Sequence, residues 1–186
     1  MISELVLYLQ LVFFAFPTPQ VNWAVADKLD SLNVRVQEPP DRVLELCLRD
    51  GFEIRYRYTM QVCRRRSWWL DRCEEPRVQI NSLVRDPVKQ VYRVTKDRLN
   101  DASDPSSDII GDYEQAWRTL STAEDVAWSF LSSSKGVQDL ASEDAYLSVL
   151  VECSCKESSA RWLAYLVSLG LADPVSFDSG WVDFEW

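Results

Sequence analysis

Between Phe52 and Val62 the chain alternates without a break. Phe52, Ile54, Tyr56, Tyr58, Met60 and Val62 fall on one side, and Glu53, Arg55, Arg57, Thr59 and Gln61 on the other. Successive side chains of a strand point to opposite faces, so this pattern fixes a long strand with one face buried and one wet. Such a strand commits the chain to an antiparallel sheet whose apolar face must be covered. The same period recurs in Leu32, Val34 and Val36, in Ala145, Leu147, Val149, Val151 and Cys153, and at the end in Trp181 to Trp186. Arg77 to Val84 reads as the return strand, Asp86-Pro87 as a turn and Gln90 to Thr95 as the third strand of a meander. Tyr113 to Leu120 reads as a further strand.

Helical spacing is shorter-lived. After Pro39-Pro40-Asp41, Val43, Leu44, Cys47 and Leu48 recur on one helical face, and Gly51 is placed to end that helix in a left-handed cap. Ser121-Thr122-Ala123-Glu124 reads as a capping box opening a second helix, with Ala123, Val126, Ala127, Phe130 and Leu131 on its buried face. Arg161 to Leu169 reads as a third, ended by Gly170. Leu99 to Asp112, rich in Asp, Ser and Pro, reads as a polar loop. The expected fold class is α+β, mainly β. It is a twisted antiparallel sheet or β-sandwich with two or three short helices covering one face. In 186 residues without a dividing linker this makes a single β-rich domain over 27–186, preceded by a signal-peptide-like segment over 1–26.

Several kinds of chemistry are closed off by composition. The chain has no histidine, so histidine triads, histidine general bases and His-containing zinc sites are excluded. Five glycines in all leave no glycine-rich phosphate cradle. No G-x-S-x-G elbow is present. Net charge is −9, which opposes general binding to nucleic acid, where clustered cations must displace counterions. No cofactor, no metal and no catalytic residue is expected. Asp101, Asp104, Asp108 and Asp112 lack the spacing and terminal Glu of a calcium loop.

Leu5 to Phe16 is an unbroken run, apolar but for Gln10, followed by Pro17, Pro19 and then Trp23-Ala24-Val25-Ala26. It is too short to span a bilayer as a helix, which takes roughly 20 residues. Ala24 and Ala26 fit the small-x-small pattern of signal cleavage, and cutting after Ala26 leaves a chain starting at Asp27. The expected location is the periplasm or cell envelope after export. Glu4, and the lack of Lys or Arg ahead of the run, keep a second reading open, in which residues 1–26 are retained as a buried segment in a cytoplasmic protein. Of the five cysteines, Cys63 and Cys73 flank CRRRSWWLDRC, which reads as a hairpin tip, and paired strand ends bring them within reach of a candidate disulfide. Two reduced thiols are the alternative. Cys153-Ser-Cys155 has no metal-ligand spacing.

The succession of a signal-like start, a P-P-D-x-V-L helix ending at Gly51, a long alternating strand, and Trp68-Trp69-x-Asp71 at an Arg-Trp tip is distinctive. It continues through Tyr92-Arg93-Val94, a short helix, a long strand and a terminal W-x-x-F. Together these resemble the bacterial family known as domain of unknown function 4390. The resemblance runs from Leu32 to Trp186 and is strongest over Pro39 to Asp71 and at the aromatic C-terminus. It implies an exported bacterial protein with no assigned activity, catalytic residue or ligand, and a role accessory to a membrane sensor. The five cysteines and the acidic leader depart from the family pattern.

The tip itself is the candidate binding site. Arg64, Arg65 and Arg66 beside Trp68 and Trp69 can meet an anionic membrane surface or a partner protein, the arginines binding carboxylate or phosphate and the indoles lying at the interface. Read plainly, the same residues are a solvated hairpin end with Arg paired to Asp71 or Glu74. The expected function is a non-catalytic envelope interaction module. The alternatives are a carrier holding a small apolar ligand between sheet and helices and, more remotely, a carboxylate-dependent hydrolase.

Overall fold

A computed structural model describes residues 21–25, 31–37, 42–66, 70–99, 105–131, 144–156 and 176–185. Leu5 to Phe16, Trp68, Trp69, Asp101, Asp104 and the Arg161 to Leu169 helix lie outside them.

In chain order the described elements are β1 (Val21–Val25), β2 (Ser31–Val36), α1 (Arg42–Arg49), β3 (Glu53–Arg64), β4 (Arg72–Cys73), β5 (Arg77–Asp86), β6 (Val91–Leu99) and β7 (Ser106–Ile110). There follow α2 (Tyr113–Leu120), β8 (Thr122–Ala127), α3 (Trp128–Leu131), β9 (Ala145–Lys156) and β10 (Ser176–Glu185). They form two antiparallel sheets. The larger runs β10-β9-β3-β5-β6-β7, with the short β4 also paired to β3, and the smaller runs β1-β2-β8. The fold is mainly β, with helices set against sheet, as the alternation requires.

β3 is the spine. Ile54, Tyr56, Tyr58, Met60 and Val62 are all buried, and their register partners on β9 are Cys155, Cys153, Val151, Val149 and Leu147. This face joins Leu32, Val34 and Val36 of β2, Leu44 and Leu48 of α1, and Ala116, Trp117 and Leu120 of α2 in one continuous core. α1 packs on β3 and β5, and α2 on β5, β6 and β7. Gly51 ends α1 at φ +85°, a conformation an L side chain resists, and the Phe52 amide returns to the Cys47 carbonyl at 3.0 Å.

Three expectations are corrected. Tyr113 to Leu120 is a helix, not a strand. Asp112 caps it by accepting from the Gln115 amide at 2.7 Å, and Ala116, Trp117 and Leu120 recur inward at helical spacing. Ser121 to Glu124 does not open a helix. Ser121 instead closes α2, its amide donating to the Trp117 carbonyl, and Thr122–Ala127 is a strand paired to β2. The polar stretch Leu99 to Asp112 contains β7, the edge strand beyond β6. Five residues of the leader-like segment form β1, paired along its length with β2 from Val21↔Val36 to Val25↔Leu32.

Candidate interaction site

The protrusion starts where β3 leaves the sheet. Cys63 and Cys73 are direct register partners with Cα atoms 4.0 Å apart, and a disulfide joins them. The Glu74 amide donates to the Val62 carbonyl at 2.8 Å and fixes the returning chain. The bridge closes the base of the loop that carries Arg64, Arg65 and Arg66.

The three arginines do not form one free cationic patch. Arg64 stands 3.7 Å from the Glu74 carboxylate. Arg65 is paired with Glu185 at the end of β10, and its guanidinium lies over the Tyr146 ring at 5.6 Å from the centroid. That pairing raises the Arg65 pKa above its ordinary value. The Tyr146 hydroxyl donates to Asp71 at 2.8 Å, and burial, then this bond, push its pKa up to about 12. The Arg66 amide donates to the other Asp71 oxygen at 3.3 Å. Among the described residues no carboxylate pairs with the Arg66 guanidinium. Beside it Leu70 is 92% exposed. Asp71 and Glu74 are the partners the sequence offers. Tyr146 and Glu185 were not legible there, because sheet pairing brings β9 and β10 alongside the tip from more than 70 residues away.

A second disulfide escaped the sequence. Cys47 of α1 bridges to Cys155 of β9 across 108 residues, with Cα atoms 6.3 Å apart. It pins α1 to the sheet at the end opposite the protrusion. All five cysteines are described, and Cys153 alone is unpaired. Burial pushes its thiol up to about 12, offset only in part by a hydrogen bond with Tyr56, so it is protonated at neutral pH and packs as a small apolar group.

Between the sheet and α2 lies a buried polar network. Asn81 donates to the Leu120 carbonyl at 2.9 Å and the Thr122 carbonyl at 3.0 Å, and accepts from Gln79 at 2.9 Å. Arg98 continues it to Gln79 and to the Glu124 carbonyl. The Tyr58 hydroxyl also donates to the Leu120 carbonyl at 3.2 Å, and its burial holds its pKa well above the ordinary tyrosine value. These groups satisfy the backbone where α2 turns into β8, so the network's role is to hold that junction. Asp112, one of the loop aspartates, is occupied in capping α2, and Asp108 lies within β7.

No protein family, no curated protein and no solved structure matches this chain.

Proposed function

We propose that the protein is a non-catalytic interaction module of the bacterial cell envelope. In this reading it is exported, related in kind to the domain of unknown function 4390, and uses the protrusion to engage a partner protein. The observation that carries the proposal is the pairing of a disulfide-closed, braced loop with an outward-facing Leu70 and Arg66. A large apolar side chain held exposed on a rigid base loses little freedom on binding, which is the economy a docking element requires. Two disulfides support export, since such bonds persist in oxidising compartments.

A protein partner is favoured over an anionic membrane. Arg64 and Arg65 already face Glu74 and Glu185, so a lipid phosphate must compete with carboxylates of the same chain. An apolar anchor beside a guanidinium that no described carboxylate pairs suits a protein pocket with an acidic rim.

The test is a photo-crosslinking amino acid placed at position 70 in living cells, with the same group at Val88, exposed at the far end of the sheet, as the control. The reading expects one discrete protein adduct from position 70 and none from position 88. Identical adducts from both positions, or lipid adducts alone from position 70, refute it.

A further inference from the structure

β10 is the edge of the large sheet on the side away from β7. It pairs with β9 alone, so among the described strands its outer edge has no neighbour. Every second residue of such an edge turns its N–H and C=O outward, a template for one more strand. A bulge between Asp178 and Trp181, with Gly180 at φ +64°, interrupts the ladder near its start. From Trp181 to Glu185 the register is unbroken, and this is the run open to addition.

The two faces of the run differ in chemistry. Val182 and Phe184 stand opposite Val149 and Leu147 on the core side. Those partners are fully buried, whereas Val182 and Phe184 are only half-buried, because the sheet stops at β10. On the outer side Trp181, Asp183 and Glu185 stand opposite Leu150, Ser148 and Tyr146, and all three are exposed, Trp181 by 50%. Across the bulge Asp178 faces Glu152, a second carboxylate. Glu152 meets Arg57 at 3.7 Å, and Glu185 meets Arg65. Asp178 and Asp183 accept from neutral donors, the Gly180 amide at 3.0 Å and the Ser148 hydroxyl at 2.6 Å, and among the described residues no cation pairs with either. The outer margin therefore holds four carboxylates against two guanidiniums.

An added strand must suit both faces. A second copy of this chain does not. Antiparallel pairing of β10 with another β10 lays both acidic margins on one side of a continuous sheet and brings no further cation. A segment with Lys or Arg at every second position and apolar residues between them suits both. Its cations reach Asp178, Asp183 and the Trp181 ring, and its apolar side chains continue the core past Val182 and Phe184.

We infer that the Trp181–Glu185 edge of β10 binds, as an added strand, an extended segment of a partner protein in which basic and apolar residues alternate. This site uses neither Leu70 nor Arg66 and does not depend on the docking role of the protrusion.

The test follows amide chemical shifts and hydrogen exchange of the full, oxidised chain during peptide titration. The probe is a capped Lys-Val-Lys-Val-Lys-Val-Lys peptide. One control has the same composition with its lysines in a single block, and the other has Glu in place of Lys. The probe is expected to bind with a Kd below about 1 mM and to protect amides of 181–185, with each control at least about tenfold weaker. Trp181→Thr removes the exposed ring from a strand position, and Asp183→Asn keeps an oxygen for the Ser148 hydroxyl. Each should weaken the probe at least about threefold, while Leu70→Ser leaves it unchanged. Should one variant not fold, the other carries the comparison. A probe Kd above about 1 mM overturns the inference, as does equal binding of either control, of Trp181→Thr or of Asp183→Asn. Loss of binding in Leu70→Ser overturns it too. So does protection of 181–185 that grows with protein concentration alone, which makes a second copy the occupant.

Discussion

Asn81 has a full set of partners in a place water cannot reach. In the sequence it is a polar residue within a strand, and nothing marks it as buried. Only the approach of the α2–β8 junction gives its amide two carbonyls to bond. The asymmetry of hydrogen bonding then sets the cost of losing it. Asn81→Leu keeps the volume but leaves the Leu120 and Thr122 carbonyls short of donors, and we expect a loss of about 2–4 kcal/mol in urea unfolding. Leu120 retains the Tyr58 hydroxyl, so Tyr58→Phe added to Asn81→Leu should cost more than the sum of the two single changes. Cys153, by contrast, was readable from its position on the apolar face of its strand, because alternation alone assigns that face.

At the level of elements, β8 and α2 depart from expectation for different reasons, a local irregularity in one and side-chain propensity in the other. β8 carries a register shift against β2 between Leu32 and Val34, so Ala123 and Val126 both point inward three residues apart. A bulge turns a period of two into an apparent helical spacing. α2 is the converse. Tyr113, Ala116, Trp117 and Leu120 follow the helical period and Asp112 is a good cap, whereas the aromatic residues by propensity alone favour a strand. The two disulfides differ at this scale in the length of chain they close. Chain entropy predicts that replacing Cys47 and Cys155 by Ser costs up to about 4.7 kcal/mol, and replacing Cys63 and Cys73 about 3 kcal/mol or less. Denaturant unfolding of the two double variants checks the order. A larger loss from the short bridge than from the long one contradicts it.

For the molecule as a whole, β1 ties the N-terminal segment to the small sheet. β1 falls within the segment expected to be a leader, and cleavage after Ala26 removes it from the small sheet. β2 then keeps β8 on one side and loses its partner on the other. Hydrogen exchange on 1–186 and 27–186, both oxidised, separates the cases. The amides of β2 that face β1 should be protected in the longer chain and exchange rapidly in the shorter, while β3 and β9 stay protected in both. Equal protection of β2 in both chains means β1 adds nothing to the folded domain.

Residue order by itself determined the long strands, the wet and dry faces of each, the turn at Asp86-Pro87 and the glycine-capped α1. These follow from periodicity and backbone sterics, which are local. The antiparallel, mainly β class follows from them, since such strands must pair. Tertiary structure alone decided which cysteine meets Cys47 and which carboxylates meet Arg64 and Arg65. Those are contacts between residues far apart in the chain. Their partners are chosen by sheet register and by how helices settle on the sheet, and no local pattern encodes either.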